Sequence, residues 1–470
     1  MYFGKPDKGL TDKAVEILKT GVSQICKVDS QIYSASNPDV VVTPLAIEQF
    51  TVNQAFEKNI HDQITITVNI SIEEAMLLLT NYQQLRMSFQ IEHVTQHYYQ
   101  TIEEIPQELR EFEVIIHNAT DLLKSIQKVE LLSTNNPDDK DAAKPDDIRA
   151  RRYSLQVELL TSKVLDFRIK PTNSLGGSTE IAAVIVGSAL SLGIESDKIE
   201  FVKTPENERK FDAVHVSMQP MESLCDVMQS SFGAYKEGLE YYYHDEKLYF
   251  YAGYDTNPPT ERVMHLYRLP KDSYPGDCKY HYIDEGGNLH ILIIDDVDIR
   301  NMADASVDTH GNYQIARRSD AGFDVDMVQN GKDTIIRADN LVTMAAKNES
   351  TSTHGRTSAK FVPTTNNVMA MSSEMASTFC KWMSTTWRMA WPWLVIPGMK
   401  VIYHYEEMSG LKMTTGILSL FECSLSKIDG IVGKHNSYAW GATIGVRLSP
   451  NEQNDEKIST DMLSYFTRDK

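Results

Sequence analysis

Residues 390–450 constrain this chain more than any other segment, because they read as a compact antiparallel β unit entered through one sharp turn. The entry is Pro397-Gly398-Met399-Lys400, and the first strand is Val401-Ile402-Tyr403-His404-Tyr405. A Ser409-Gly410 turn, a strand over 412–425, a glycine-punctuated loop and a strand over 437–448 follow. β-Branched and aromatic runs bounded by Gly and Pro are the mark of paired strands. No residue in the unit sits in a catalytic pattern, so it reads as a building block.

The first third of the chain also reads mainly as strands. Residues 10–20 predict a short helix that Thr11 caps and Gly21 ends. The run Gln63-Ile64-Thr65-Ile66-Thr67-Val68-Asn69-Ile70 alternates strictly, which requires one buried and one exposed face. Ser71-Ile72-Glu73-Glu74 then has the pattern of a capping box opening a helix. Strands are expected at 40–43, 48–53, 85–94, 111–117 and 153–170, with a helix at 120–131. The stretch 133–148 carries Asp138, Asp139, Asp141, Asp146 and Asp147 with two prolines, and predicts an acidic loop.

A break at 171–177 opens an α+β region. A nearly all-apolar helix is expected over 178–192, strands at 198–203 and 213–218, and a helix from Glu222 to about Phe232. The clearest hairpin follows: Leu239-Glu240-Tyr241-Tyr242-Tyr243, a His244-Asp245-Glu246 turn, and Lys247-Leu248-Tyr249-Phe250-Tyr251. A linker at 255–259 leads to strands at 263–268 and 289–294. The spacing of Val368, Met371, Met375, Phe379 and Trp382 predicts a helix over 366–385.

With 470 residues, several domains are expected rather than one core. The net charge of −19 argues against a nucleic-acid binder, which needs clustered Lys and Arg. The five cysteines are widely spaced with no CxxC pair, which favours free thiols. The N-terminal residues show no signal-peptide pattern. The longest apolar run, 181–190, is about half the roughly 18 residues that a span needs. The expectation is a chain made in the cytoplasm with no membrane span.

Residues with chemical potential are few. Gly176-Gly177-Ser178-Thr179 lack the Lys of a P-loop, and a turn with a helix cap is the preferred reading. His93 and His97 stand four apart without the Glu of a zinc-protease motif. Asp295, Asp296 and Asp298 follow an apolar strand; an ion site there is left open beside a solvated turn. Asn118-Ala119-Thr120 has the form of a glycan acceptor, which a cytoplasmic chain would not use. Trp387, Trp391 and Trp393 crowd into seven residues, and both a docking surface and a packed junction remain open. Together with Tyr241 and Tyr243 they form the candidate interface set. No catalytic, metal or cofactor-binding residue is assigned, and no cofactor is expected.

Two segments carry a family resemblance. One is the 366–385 helix, the aromatic connection, Pro397-Gly398-Met399-Lys400-Val401-Ile402 and the β unit after it. The other is 213–251, with Met218-Gln219-Pro220-Met221, Phe232-Gly233 and the Tyr-rich hairpin. These resemble the central baseplate hub of contractile-tailed bacteriophages, which is related to the base of type VI secretion spikes. The acidic stretch 133–148 departs from that pattern. The resemblance implies an α+β, mainly β fold: two tube-type antiparallel β-barrel domains with smaller α+β domains between or inserted. The barrels would be 22–170 and 259–363 plus 397–450, with 1–21 an arm, 171–258 the α+β domain, 364–396 an inserted helical segment and 451–470 a tail. It further implies a non-enzymatic homotrimer in the virion baseplate, joining a six-fold tail tube to a three-fold spike. Tube, spike and wedge proteins would be its partners, and DNA would pass without specific binding. A tail-associated cell-wall hydrolase and a receptor-binding tail module are the alternatives.

Overall fold

The computed structural model describes residues 24–57, 59–82, 84–95, 108–134, 152–161, 164, 167, 170–208, 210–268, 281–293, 297–301, 313–319, 322–324, 326–330, 333–337, 343–347, 380–388, 390, 392–407, 410–427 and 437–454. Strands dominate, so the fold is mainly β. The expected helix at 10–20 and the acidic stretch from 135 onward lie outside the described residues, as do Cys278 and the 366–379 part of the expected later helix.

The first region contains β1 (Gln24–Ser34), β2 (Val41–Val42), β3 (Ala46–Ala55), β4 (Gln63–Ser71), α1 (Ile72–Thr80), β5 (Leu85–Thr95), β6 (Glu108–Ile116), α2 (Ala119–Thr134) and β7 (Arg152–Leu160). The capping box forms as read: Ser71 and Glu74 satisfy each other's backbone N–H groups at the start of α1. In β4, the alternating residues Ile64, Ile66, Val68 and Ile70 are buried, while the Thr and Gln residues between them face outward.

The middle region contains β8 (Thr172–Glu180), α3 (Ile181–Ser191), β9 (Ile199–Phe201), β10 (Lys210–Gln219), α4 (Met221–Val227), β11 (Leu239–His244) and β12 (Lys247–Ala252). One correction falls here. Residues 172–180 form a strand paired with β10, and the helix begins only at Ile181. The glycines at 176 and 177 are thus inside a ladder, opposite Val214 and Ala213, because β10 supplies the hydrogen-bonding partner that a local reading lacks. The Tyr-rich hairpin is as expected. Its turn residues Asp245 and Glu246 both have positive φ, 54° and 59°, which a tight two-residue hairpin turn requires.

The last region contains β13 (Val263–Arg268), β14 (His281–Ile283), β15 (Leu289–Ile293), β16 (Asp298–Asn301), β17 (Tyr313–Ser319), β18 (Gly322–Asp324), β19 (Asp326–Asn330), β20 (Asp333–Arg337), β21 (Thr343–Lys347), β22 (Lys381–Arg388), β23 (Lys400–Glu407), β24 (Gly410–Lys427), β25 (Ser437–Leu448) and β26 (Gln453–Asn454). Two corrections fall here. Residues 381–388 are a strand, not a helix end: Met383, Thr385 and Trp387 alternate as buried residues, and β22 pairs along its length with β25. A 3.6-residue spacing read across 368–382 masked this period of two. β13 is parallel to both neighbours, β15 and β23, so the expected all-antiparallel pattern does not hold at that point.

Pairing unites the first and last regions in one 16-stranded sheet. β24 and β25 make the union. The early part of β24 pairs with β23, and its later part, Leu420–Leu425, pairs with β3. β25 pairs with β22 over Gly441–Leu448 and touches β1 at Ser437 and Tyr438. Following neighbours through β1, β5, β6, β7, β4, β3, β24 and β25 returns to β1, a closed circuit. Its interior is packed: Phe50 lies 5.4 Å from Phe89 and 5.3 Å from Trp440, and Phe89 lies 6.0 Å from Phe112. One buried apolar cluster runs from this circuit into the later strands, and a second fills the middle region.

Candidate functional site

The candidate residues from the sequence do not converge on one place. Trp387 is fully buried and donates from Nε1 to His281 Nδ1 at 3.2 Å, which joins β22 to β14. His281 stands edge-on to it at 5.0 Å, and Phe421 at 6.0 Å. Trp391 lies outside the described residues, and the backbone of Trp393 forms a short 3-10 turn with Pro392 and Leu394. Tyr243 is buried and Tyr241 half-buried; both pack on Phe167 in the second core. The contacts of Trp387, Tyr241 and Tyr243 are therefore within the chain. Asp295, Asp296 and His97 lie outside the described residues; Asp298 is exposed on β16 and pairs with Arg300. The amide of Asn118 is tied to the backbone of Ser154 and Gln156. Among the described residues, no group of three or more His, Cys, Asp and Glu could hold a metal ion. No helix among them is long and apolar enough to cross a membrane.

What the structure does bring together is a polar joint where the first circuit, the hairpin and β25 meet. Its centre is Arg447, a buried arginine in an otherwise apolar strand end. Glu57, in the turn after β3, pairs with the guanidinium: Nε donates to Oε1 at 2.9 Å, and Nη2 stands 2.9 Å from Oε2 as an ion pair. Nη1 donates to the carbonyl of Gly253, just after β12. Glu240 on β11 stands 3.6 Å from Nη2, and the Tyr254 ring lies 4.0 Å below the guanidinium carbon. Burial alone would lower the Arg447 guanidinium, but the Glu57 pair outweighs it and holds the group above its ordinary value.

Glycine is required at this joint for close approach. A Cβ on Gly253 would overlap the Glu240 side chain. Nearby, Gly398 has φ +69°, and a Cβ there would meet the Tyr251 ring at 2.8 Å. The Pro397-Gly398 turn is thus the contact between the hairpin and the start of β23.

The tip of the same hairpin rests on one end of the first circuit. Tyr243 N–H donates to the Ile60 carbonyl at 2.8 Å, and the Tyr242 ring meets Phe56 edge-on at 4.8 Å. His244 Nδ1 lies 2.7 Å from Asp62 Oδ2, with both side chains under 5% exposed, and 3.4 Å from Gln54 Nε2. Burial pushes the Asp245 carboxyl up to about 9 against the opposing pull of Arg110, which projects from β6. An acid held neutral in this way fits a packed joint better than an acid–base pair open to substrate.

The sequence reading missed Arg447. The available signal was an arginine two residues after Gly445 in a run whose alternate positions, Ala442, Ile444, Val446 and Leu448, are all apolar.

No protein-family model matches the sequence, and no curated protein matches it. Solved structures give distant likenesses. The Francisella PdpA-VgrG complex in its half-lidded form is 10% identical with a TM-score of 0.38, covering 92% of this chain and 59% of that one. Its lidded form is 9% identical at 0.39, covering 93% and 55%. This chain thus spans less than two thirds of their length. The E. coli c3393 protein, a type VI secretion component described as similar to the T4 tail proteins gp27 and gp5, is 6% identical at 0.35, covering 93% and 78%. Likenesses at these scores assign neither fold nor function to this chain.

Proposed function

We propose that the chain is a non-enzymatic structural component of a contractile tail: a central baseplate hub that joins a six-fold tube to a three-fold spike. In this reading it is made in the cytoplasm and ends in the virion baseplate. The observation that carries the proposal is the sharing of β24 and β25 between the closed circuit and the later strands. A chain holding two fused barrel-like units can present six units when three copies form a ring, while keeping three-fold symmetry towards a spike. The residue ranges 22–170 and 259–363 with 397–450 remain the proposed tube-type units, now with 397–450 contributing strands to both.

The packed interior of the first circuit bears on the conduit. A lumen for DNA would have to lie between copies, lined by outward-facing strand residues, and the −19 charge would keep DNA from adhering. Tube, spike and wedge proteins are the partners in this reading, and no cofactor takes part. The test is mass measurement of the purified chain in solution, alone and with a spike protein. A trimer is expected. A monomer that persists at high concentration with spike present would overturn the reading.

A further inference from the structure

We propose that the open edge of β1 receives β16 of a second copy of this chain, so that the sheet runs on from one copy into the next. β1 is paired with β5 along its whole length. On its other side it meets β25 at Cys26 and Lys27, and β2 at Ile32 and Tyr33. Among the described residues, no strand pairs with Val28, Asp29, Ser30 and Gln31 on that side. The Ser34 N–H points to the same side, where it donates to the Val40 carbonyl at 3.1 Å. The period of two along a strand then turns the N–H and C=O groups of Val28 and Ser30 to the open edge as well. Such a row is a template for another strand. A groove of about 490 Å³ runs beside it, lined by these residues, by Leu45 before β3 and by Leu109 of β6. The two leucines are 48% and 56% exposed, so the groove offers apolar surface beside the backbone groups.

β16 supplies a strand of matching length. It ends the sheet order, pairs among the described residues only with β22, and consists of Asp298, Ile299, Arg300 and Asn301. Ile299 stands opposite the buried Met383, on the core face, yet is 43% exposed at this sheet end. Asp298 and Arg300 are exposed on the other face. Set antiparallel with Arg300 opposite Asp29, the four residues of β16 cover the four open residues of β1. Ile299 then falls beside Ser30, which is buried on the core side of β1, while Asp29 is exposed. Apolar surface meets the buried side and opposite charges meet on the solvent side. The Arg300 guanidinium, already paired with Asp298 at 2.8 Å, has donors left for Asp29.

β1 and β16 are different surfaces, so the contact is heterologous, and three copies joined in this way can close a ring. The inference rests on the ring reading above and names the surfaces that join its copies.

The test is disulfide trapping in the full chain carrying Asp29→Cys and Arg300→Cys together, both at exposed sites. Oxidation is expected to give covalent multimers up to a trimer on a non-reducing gel, and neither single variant is expected to go beyond a dimer. Ile299→Lys, at an exposed site on an edge strand, is expected to weaken association about tenfold while its unfolding curve overlays the parent's. A double variant that stays uncross-linked, or links only within one chain, would overturn the proposal, as would unchanged association in Ile299→Lys. A groove filled by the chain's own residues or by a spike protein gives the first of these results. A trimer that forms without the cross-link removes this contact and leaves the hub reading standing. Cross-linked open chains of more than three copies keep the contact and remove the three-fold hub.

Discussion

The first circuit and the later strands of the same sheet solve closure differently. In the circuit's β1, β4, β5 and β6, inner and outer residues alternate, and the inner face is core. Ile32, Phe89, Phe112, Val157 and Val68 point inward, while Asp29, Gln90, Glu111, Gln156 and Thr67 point out. In the later strands both faces are occupied. β15 is buried at every position, and an aromatic stack covers the face opposite the core. There Tyr282 lies 4.4 Å from His290, His290 lies 4.6 Å from His265, and Tyr267 lies 4.6 Å from His404, all near parallel. The circuit is closed by backbone pairing, whereas β14 and β22 meet through the Trp387–His281 side-chain bond. A wall closed by ladders leaves its outer residues free of structural duty. A sheet closed by side chains depends on a few of them.

That contrast predicts where single changes hurt most. Trp387→Ala should have the largest effect, about 4 kcal/mol, because it opens a cavity and removes the bond to His281. Chemical denaturation would measure it. A loss under about 1 kcal/mol would mean that the later strands close without this pair, and the contrast would fail.

Acid should act on the same seam. Burial lowers His281 from 6.5 to about 4, and its Nδ1 must stay unprotonated to accept from Trp387. A histidine held neutral contributes stability above pH 6.5 that is lost as pH falls towards 4. The full span is worth about 3 kcal/mol. Denaturation at pH 7 and pH 4.5 should show this dependence, and His281→Phe should remove its largest share. An unchanged slope in the variant would place the acid sensitivity elsewhere.

Legibility followed the same division. Strands β2 to β6, the first part of the strand expected over 153–170 (β7 ends at Leu160), the capping box and the hairpin were readable because their signals are local: alternation, a Ser-to-Glu spacing, a turn between aromatic runs. The β22 strand was not, since Trp382 completed a helical spacing with residues upstream, and only pairing with β25 decides its conformation. The same holds for the glycines at 176 and 177, whose ladder partners, Val214 and Ala213, lie 38 and 36 residues on. Least legible was the joint. Glu57, Glu240 and Arg447 are distant in sequence, and nothing near any of them announces the other two. Tertiary pairing, not local preference, fixed each of these.

The smallest expected effect is also the one that best isolates the outer wall. Arg86 lies on the outside of β5 and meets Glu111 of β6 at 3.2 Å, with their side chains 45% and 37% exposed. Glu111 also accepts from the Tyr33 hydroxyl on β1, so the row Tyr33, Glu111, Arg86 crosses three strands of the wall. Solvent screens such a pair, and Arg86→Ala should change stability by about 0.5 kcal/mol or less in chemical denaturation. A loss above about 1 kcal/mol would show that the wall shares the structural load, against the contrast between the two regions. If stability holds as expected, the variant leaves the fold intact while changing the charge of an outward face. Any change it then produced in the solution mass of the assembly could be read as a contact of the wall itself, because folding would already have been accounted for.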